Sequence, residues 1–164
     1  MLPPYQEFPE LSSGKIWMRQ ILPADVNDVL EIAVYDGVRA SDVAQAIQMQ
    51  NKIDKNYAEG NSIHWGIIDR QTCTMVGTCG YYRGFTDNTG EIGCVLLPRF
   101  RGAGYMTEAF KLAIDFGLNT MKLDKVVAIT TVGNTKARNL LERLQFELIS
   151  QLEPDKLKYE YRPR

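Results

Sequence analysis

The sequence is poor in histidine and cysteine, the side chains that most often bind transition metals in proteins. It contains one histidine and three cysteines, and Cys73, Cys79 and Cys94 lack the paired spacing of a metal site. Unpaired cysteines on strand-like segments are typical of reduced, half-buried thiols in a cytosolic protein. We therefore expect a protein without a metal.

Long hydrophobic runs and an excess of charge are also missing. No apolar run is long enough to cross a bilayer, and no secretory signal opens the chain. The 19 basic and 20 acidic residues give a net charge of −1, with an isoelectric point of 5.9. This balance indicates neither a nucleic-acid partner nor an anionic membrane. We expect a cytoplasmic protein with neither partner.

The composition suits a single globular domain. The 164 residues are 45% apolar and 24% charged, and a chain of this length buries roughly 70% of its unfolded surface on folding. Prolines at positions 3, 4 and 9 predict an extended arm over residues 1–14. The domain is then expected to span residues 15–164.

The most informative segment is a glycine-rich stretch at 99–109, Arg-Phe-Arg-Gly-Ala-Gly-Tyr-Met-Thr-Glu-Ala. It follows an apolar run and opens an amphipathic helical pattern, and a strand, glycine loop and helix in this order often bind phosphate. Gly102 and Gly104 allow the backbone to turn sharply and to approach a ligand. Arg99 and Arg101 add positive charge beside the free amides of the first helical turn.

Three phosphate-binding loops have comparable glycines. The nucleotide-binding loop needs Lys and Ser/Thr where Met106 and Thr107 stand. The dinucleotide fingerprint needs a third small residue at Thr107 and a parallel βαβ unit, whereas hairpin-like strands precede this loop. The third pattern, Arg/Gln-x-x-Gly-x-Gly/Ala, is satisfied. A glycine-rich helix start without any ligand is the alternative to all three.

Hydrophobic periodicity predicts the element order βααβββαβαββ. The connections between strands 63–69, 74–85 and 91–97 are too short for crossovers, so these strands are antiparallel. The β-branched strand 125–132 is expected to be central and parallel to strand 91–97. The fold class is therefore α/β, with α+β layering: a mixed, largely antiparallel sheet flanked by helices. The other expected elements are a strand at 15–21, a helix from Pro23, a helix capped by Ser41, a helix at 106–118, a helix capped by Asn134, and a closing hairpin at 146–152 and 157–161.

This order and two motifs resemble the GNAT (Gcn5-related) N-acetyltransferases over essentially everything after the arm. Arg99, Gly102 and Gly104 match the family's acetyl-CoA pyrophosphate loop. Segment 134–146, which begins Asn-Thr-Lys-Ala and ends Gln-Phe, is similar to the family's Asn-x-x-Ser/Ala helix and following Gly-Phe. With Trp-Met-Arg at 17–19, the RimJ/RimL-like branch is the most similar.

The resemblance implies where acetyl-CoA binds. Its pyrophosphate would lie on the loop amides, and its pantetheine arm would lie between strands 94–97 and 125–132, pairing with the backbone as an added strand does. Asn134 would reach the pantetheine amides or the sulfur. An asparagine at this position is also typical of a helix N-cap without a role in binding. The residues predicted to bind the cofactor are Val95, Leu96, Leu97, Arg99, Arg101, Gly102, Ala103, Gly104, Tyr105, Met106 and Asn134.

The implied reaction is direct attack of a primary amine, a protein N-terminus or a small-molecule amine, on the thioester in a ternary complex. Amines are mostly protonated near pH 7, so a base must accept a proton. Glu91 begins the cofactor strand, where many GNAT enzymes keep a carboxylate, and it is the first candidate; an exposed strand-end charge is the alternative. The Val95 amide is the expected donor to the carbonyl oxygen. The other candidate bases are Glu153, Asp155, Glu160 and the single histidine, His64, although a lone strand histidine is more often structural.

The sequence departs from the family's pattern at three positions. Leu141 and Ala137 stand where relatives carry a tyrosine or serine that protonates the leaving thiolate. Gln145 replaces a glycine, so the turn there either avoids a left-handed conformation or tolerates strain. The catalytic residues are predicted to be Glu91 and Asn134, with the thiolate donor being Asn134, water or one of Tyr81, Tyr82, Tyr159 and Tyr161.

Two other functions remain compatible with these residues. A non-catalytic acyl-CoA binder is favoured by the missing donors, and an interaction protein with this fold would have no affinity for CoA. A homodimer could form through an apolar hairpin edge of Leu157, Tyr159 and Tyr161, which could instead pack on its own sheet.

Overall fold

The computed structural model describes residues 1–163. Its strands are β1 (Leu11–Ser12), β2 (Ile16–Gln20), β3 (Val34–Tyr35), β4 (Val38–Arg39), β5 (Ile63–Asp69), β6 (Thr74–Tyr82), β7 (Thr89–Leu96), β8 (Lys125–Thr131), β9 (Phe146–Glu153) and β10 (Lys156–Tyr161). Its α-helices are α1 (Val43–Ala58), α2 (Tyr105–Asn119) and α3 (Thr135–Arg143). No helix among the described residues is long and apolar enough to cross a membrane.

Eight of these strands form one sheet in the order β1-β2-β5-β6-β7-β8-β10-β9, and β3 and β4 pair separately. The pairing of β7 with β8 is parallel, and the other pairs within residues 1–163 are antiparallel. The predicted class, a mixed and largely antiparallel sheet flanked by helices, is confirmed.

The apolar face of the central strands packs on α2. Trp65 on β5 and Tyr81 on β6 are fully buried there, because alternate residues of a strand point to the same side. The Tyr81 hydroxyl donates a hydrogen bond of 2.7 Å to the carbonyl of Ala113 on α2. This packing leaves the opposite face of β5, β6 and β7 free to form the wall of a cleft.

The prediction of an α-helix starting at Pro23 is wrong. The segment instead forms two short 3₁₀ turns, Pro23–Asp25 and Leu30–Ile32, followed by the β3–β4 hairpin. Asp25 accepts hydrogen bonds from the Leu22 amide and from Arg19, which fixes the start of the first 3₁₀ turn as a helix cap does. The Asn, Asp and β-branched residues that follow disfavour its continuation as an α-helix.

Two helix caps and one turn refine the sequence predictions. Asp42, rather than the predicted Ser41, caps α1, because its Oδ1 accepts from the Gln45 amide at 2.8 Å. Asn134 caps α3 as predicted, accepting from the Ala137 amide at 3.2 Å. Gln145 has a φ of +70°. The turn therefore adopts the left-handed conformation, which glycine forms without strain, and tolerates a side chain there.

The N-terminal residues lie along the domain. The short strand β1 pairs with β2 and forms one edge of the sheet, and the ring of Phe8 lies 5.0 Å from that of Tyr57 and 6.4 Å from that of Trp65. These contacts bury aromatic surface of the first ten residues against α1 and β5.

The closing hairpin is arranged differently from the expected apolar edge. Strand β10, which carries Leu157 and Tyr159, lies between β8 and β9, and both side chains are buried. Their side chains therefore cannot form an exposed edge. The edge strand is β9, where Leu148, Ile149 and Leu152 are exposed.

Candidate active site

The parallel strands β7 and β8 separate after a short paired stretch. Their register runs over three pairs only, Thr89 with Lys125 to Glu91 with Val127, whereas both strands continue further. The far ends of the two strands border one cleft, which includes Val95 on β7 and Ala128 on β8. The expected gap between the strands is therefore present in the structure.

The register of β7 on β6 fixes which amides face this gap. The Leu97 amide donates to the Val76 carbonyl at 2.9 Å, and Val95 is the partner of Thr78 in the same ladder. Because backbone groups alternate along a strand, the amide of Val95 also points to β6, and those of Cys94 and Leu96 point towards the gap. The side chains of Leu96 and Leu97 are buried, while that of Val95 is 43% exposed.

The glycine loop presents unpartnered amides beside the gap. Gly102 and Gly104 have φ values of +80° and +86°, a conformation that glycine adopts without strain. Gly104 is the N-cap residue of α2 and has no side chain to cap it. Within residues 1–163, the amides of Gly102, Ala103 and Gly104 have no acceptor. An exposed row of donors at a helix N-terminus suits an anion such as a pyrophosphate.

The two arginines of the loop lie in different places. Arg101 lines the cleft. Arg99 instead forms an ion pair of 3.2 Å with Glu31 and lies 5.0 Å from the ring of Phe100. Of the predicted loop residues, Met106 also lines the cleft, and Tyr105 is half-buried against Phe100.

Lys15 is a loop contact that the sequence analysis missed. Its ammonium donates a hydrogen bond to the Ala103 carbonyl and lies 4.9 Å from the centre of the Tyr105 ring. It adds a positive charge beside the unpartnered amides. Because Lys15 and Ala103 are 88 positions apart in the sequence, no local pattern indicates this contact.

Glu91 lies on the wall of the cleft near the point where the strands separate. Its side chain is 20% exposed and forms an ion pair of 3.2 Å with Arg83. The cleft also contains Asn134, Ala137 and Leu141 from α3. The structure thus brings the first candidate base and the predicted α3 residues into one site.

The other carboxylates considered lie away from this site. Glu153 pairs with Lys156 at 3.8 Å, and Glu160 pairs with Arg162 at 3.3 Å. Asp155 is in the exposed turn of the hairpin. None of the three is among the described residues that line the cleft.

The four candidate tyrosines are separated by their surroundings. Tyr81 is bonded to α2 in the core, Tyr159 accepts a hydrogen bond of 3.3 Å from Arg138, and Tyr161 packs on Phe146. Tyr82 lines the cleft, and a Cβ on Gly93 would lie 2.9 Å from its ring. Burial raises the pKa of Tyr82 well above its ordinary value, so its phenol stays protonated.

His64 lines the same cleft, with its ring 5.3 Å from that of Tyr82. Burial lowers its pKa to about 4, so the imidazole is neutral at pH 7. The Nδ1 atom of His64 is also buried, whereas the Glu91 side chain is 20% exposed near the point where the strands separate. The geometry therefore favours Glu91 over His64 for that role.

The opposite wall completes the cleft, which has a volume of about 1240 Å³. It consists of the 3₁₀ segment with Val29 and Ile32, the β3–β4 hairpin with Tyr35, and α1 with Met49 and Ile53. One end of the cleft therefore lies at the glycine loop, and the other lies under elements that the sequence alone left poorly defined.

Comparisons with known proteins agree with this geometry. The family model of the acetyltransferase (GNAT) domain matches residues 15–147. The uncharacterised N-acetyltransferase YoaA of Bacillus subtilis is 26% identical over 148 residues, which cover 85% of this chain and 84% of YoaA.

Two solved structures share the fold. The ribosomal-protein-S5-alanine acetyltransferase from Vibrio fischeri superposes with a TM-score of 0.76 at 16% identity, covering 93% of this chain and 95% of that one. Mutant forms of the spermidine/spermine N-acetyltransferase SpeG from Vibrio cholerae give 0.76 at 14% identity, covering 90% and 94%. At these identities the likeness concerns the fold alone.

Proposed function

Because the chain belongs to the GNAT acetyltransferase family, whose model matches residues 15–147, we propose that it transfers the acetyl group of acetyl-CoA to a primary amine. The observation that carries this proposal is the separation of β7 from β8 beside a loop of unpartnered amides. Such a gap suits an extended pantetheine arm, and such a loop suits a pyrophosphate.

In this proposal the loop binds the pyrophosphate of acetyl-CoA. The amides of Gly102, Ala103 and Gly104 donate to its oxygens, and Arg101 and Lys15 offset its charge. The pantetheine amides pair with the backbone of β7 on its open side, at Cys94 and Leu96. Asn134 remains available at the start of α3, since its cap uses the side-chain oxygen and leaves the amide nitrogen as a donor.

The reaction needs two proton transfers and one oxyanion donor. The amine nitrogen attacks the thioester carbon, a C–N bond forms and the C–S bond breaks. Glu91 accepts the proton released by the amine, and the Cys94 amide, which faces the gap, stabilises the carbonyl oxygen. This assignment replaces Val95, whose amide points towards β6.

Tyr82 is the proposed proton donor to the leaving thiolate. Its high pKa keeps the phenol protonated until the sulfur leaves. Of the four tyrosines, it is the one whose surroundings open to the cleft. It thereby supplies the proton that Leu141 and Ala137 cannot supply from α3.

The acceptor is proposed to be a protein N-terminus or a small-molecule amine. Two structural neighbours support both kinds of acceptor, since one is named as a ribosomal-protein-S5-alanine acetyltransferase and the other as a spermidine/spermine N-acetyltransferase. The position of Glu91 in the same cleft as the gap supports direct attack in a ternary complex.

The cytoplasmic location and the dimeric state are also proposals. Three free cysteines are compatible with the reducing cytoplasm. The exposed apolar residues of edge strand β9 support a homodimer formed at that edge.

Calorimetric titration with acetyl-CoA tests the cofactor assignment. Ala103 is exposed in the loop, so Ala103→Glu adds a negative charge without a buried clash, and Ala103→Gln is the neutral control of matched size. A like charge at ~4 Å costs about 1 kcal/mol in water and about 4 kcal/mol near a protein surface, so we expect affinity to fall at least about fivefold in Ala103→Glu alone. Absence of binding by the wild-type protein would contradict the proposal, and binding without turnover of any amine would favour the non-catalytic acyl-CoA binder.

A further inference from the structure

Arg83 and Glu91 form an ion pair that is open to the cleft. The Nη1 atom of Arg83 lies 3.2 Å from one carboxylate oxygen of Glu91 and 3.3 Å from the other, and both residues line the cleft. The side chain of Arg83 is 73% exposed, and that of Glu91 is 20% exposed. A ligand in the cleft can therefore contact both charges at once.

The backbone conformation of Arg83 gives it this position. Arg83 directly follows β6, and its φ is +63°, a conformation that is uncommon for residues with a side chain. In a regular strand Arg83 would point to the face opposite that of its neighbour Tyr82. The left-handed conformation interrupts this alternation, and the guanidinium lies beside Glu91, on the same face as Tyr82. Residues in such strained conformations cluster at active sites and ligand-binding sites.

The ion pair leaves hydrogen-bonding capacity on both partners. A guanidinium has five N–H donors, and Arg83 uses Nη1 alone, since within residues 1–163 its Nε and Nη2 have no acceptor. The Glu91 carboxylate can accept about four hydrogen bonds, and Arg83 is the one donor to it in the described part of the chain. The pair therefore presents unused donors beside unused acceptors.

This arrangement is complementary to a zwitterion. The ammonium and the carboxylate of a free α-amino acid are attached to one carbon, so the nitrogen and the carboxyl carbon are about 2.5 Å apart. That separation is comparable with the 3.2 Å between the charged atoms of Arg83 and Glu91. The ammonium can donate to Glu91 while the carboxylate accepts from Nε and Nη2 of Arg83. The reacting amine is then held beside the proposed base.

Other primary amines match the pair less well. The carbonyl next to a peptide N-terminus belongs to a neutral amide, which forms weaker hydrogen bonds than a carboxylate. A polyamine carries further positive charges and has no acceptor for Arg83. Three arginines and two carboxylates line the cleft among residues 1–163, so further positive charge on the acceptor would be left without a partner. These residues are Arg39, Arg83, Arg101, Asp36 and Glu91.

The wall across the cleft indicates the side chain of the acceptor. Ile32, Tyr35 and Ile53 line the cleft there and are only half-buried, so part of their apolar surface is accessible to a ligand. An apolar side chain on the acceptor would remove this surface from water, which is favourable. A branched aliphatic amino acid such as leucine is a suitable probe.

We propose that the acceptor is a free α-amino acid with an apolar side chain, and that Arg83 binds its carboxylate. The inference rests on the proposed acetyl transfer and narrows its acceptor. The amino-acid nitrogen attacks the thioester carbon, a C–N bond forms, the C–S bond breaks, and Glu91 accepts the proton. The products are an N-acetylamino acid and CoA, whose sulfur takes up a proton. Arg83 sets specificity and takes no part in proton transfer.

The kinetic test compares L-leucine with L-leucinamide, in which an amide replaces the carboxylate. The ratio of their kcat/KM values in the wild-type protein is divided by the same ratio in Arg83→Met. Any change at Glu91 cancels within each ratio, and the different basicity of the two amines cancels between the proteins. We expect a quotient of about ten, the lower end of the range for a hydrogen bond to a charged group, because Arg83 is largely exposed.

Arg70→Met is the matched control. Arg70 is an exposed arginine that donates to the Ser13 carbonyl, outside the cleft, so this variant is expected to keep the wild-type ratio. A quotient of one for Arg83→Met would overturn the inference. If both amines are still acetylated in that case, the proposed function stands without it.

Calorimetry with CoA in place of acetyl-CoA separates the inference from the proposed function, because no acetyl group can then be transferred. L-Leucine is expected to bind saturably to the wild-type protein and about tenfold more weakly to Arg83→Met, whereas the binding of L-leucinamide does not weaken. If L-leucine does not bind to the wild-type protein, the inference is wrong. If it binds through Arg83 but no amine is acetylated from acetyl-CoA, the amino-acid site stands and the proposed acetyl transfer fails.

Discussion

Tyr82 and Glu91 are cross-strand partners on β6 and β7, and both line the cleft. The carboxylate is paired with Arg83, and the phenol ring lies over Gly93, where a Cβ would approach it to 2.9 Å. A group that can accept a proton and one that can donate a proton therefore stand side by side where β7 separates from β8. This adjacency leads to the first two predictions.

Tyr82→Phe removes the proposed donor to the leaving thiolate and keeps the ring in place over Gly93. We expect kcat to fall about 10²-fold, the usual contribution of a positioned acid, with little change in the affinity for acetyl-CoA. Steady-state kinetics with saturating acceptor measure this effect. Tyr161→Phe is the control, because Tyr161 packs on Phe146 outside the cleft. A normal kcat in Tyr82→Phe would assign the proton to Asn134 or to water.

Glu91→Gln removes the proposed base and preserves size. At pH 7 we expect kcat/KM to fall by about 10²–10⁴-fold. Activity should then recover with rising pH, because the acceptor loses its own proton near a pKa of about 7.7–8.0 for an α-amine or about 10.4 for a lysine-like amine. A pH–rate profile from pH 6 to 10 measures this recovery.

Glu153→Gln is the matched control for the base, since Glu153 was a candidate from the sequence but lies outside the cleft in an ion pair with Lys156. It is expected to show wild-type activity. Loss of activity in Glu153→Gln together with normal activity in Glu91→Gln would move the base to the closing hairpin.

Lys15→Met removes the ammonium beside the glycine loop. We expect the Kd for acetyl-CoA to rise about three- to tenfold at low ionic strength, in line with about 1 kcal/mol for a nearby charge, and the difference to shrink in high salt. Calorimetry at two salt concentrations measures it. Lys111→Met, an exposed change on helix α2, is the control. The same loss at both salt concentrations would mean that Lys15 only orders the loop through Ala103.

Local patterns were sufficient to predict most of the fold. Strand β5 spans Ile63–Asp69, the predicted range, because polar turns bound an apolar run there. The α-helix expected from Pro23 does not form, although Val26 and Val29 are buried as predicted for a helical stripe. An apolar stripe predicts burial, but Asn27 and Asp28 between these valines disfavour the α-helical backbone.

The site was predictable where it depends on contiguous residues. The loop with Gly102 and Gly104 could be read directly, since positive φ values and a helix start follow from the local sequence. The choice of Tyr82 among four tyrosines could not be predicted, because strand pairing and register decide which side chains face the cleft. Lys15 could not be predicted either, because it contacts Ala103, 88 positions away. The ion pair of Arg99 could not be predicted either, since its partner Glu31 lies 68 positions away in the sequence.

The ion pair between Arg19 and Asp25 holds the first 3₁₀ turn next to Val26, which lines the cleft. Hydrogen bonds of 2.7 and 2.9 Å from Arg19 lower the pKa of Asp25, and the Leu22 amide adds a third of 2.8 Å. The folded state therefore favours the carboxylate. Its contribution to stability is complete above the unfolded pKa of about 3.9 and is lost as the pH falls through the lower folded pKa.

Asp25→Asn is accordingly expected to lower the free energy of unfolding by about 1–3 kcal/mol at pH 7, with a smaller difference near pH 3, which lies below the pKa of about 3.9 of the unfolded carboxyl, so that the unfolded state binds a proton there. Urea unfolding at the two pH values measures it, and Asp28→Asn, an exposed change in the same segment, is the control. Because Val26 and Val29 line the cleft, loosening this turn should also raise the KM of the acceptor more than that of acetyl-CoA. An equal destabilisation at both pH values would trace the effect to the shape of the new amide and not to the lost charge.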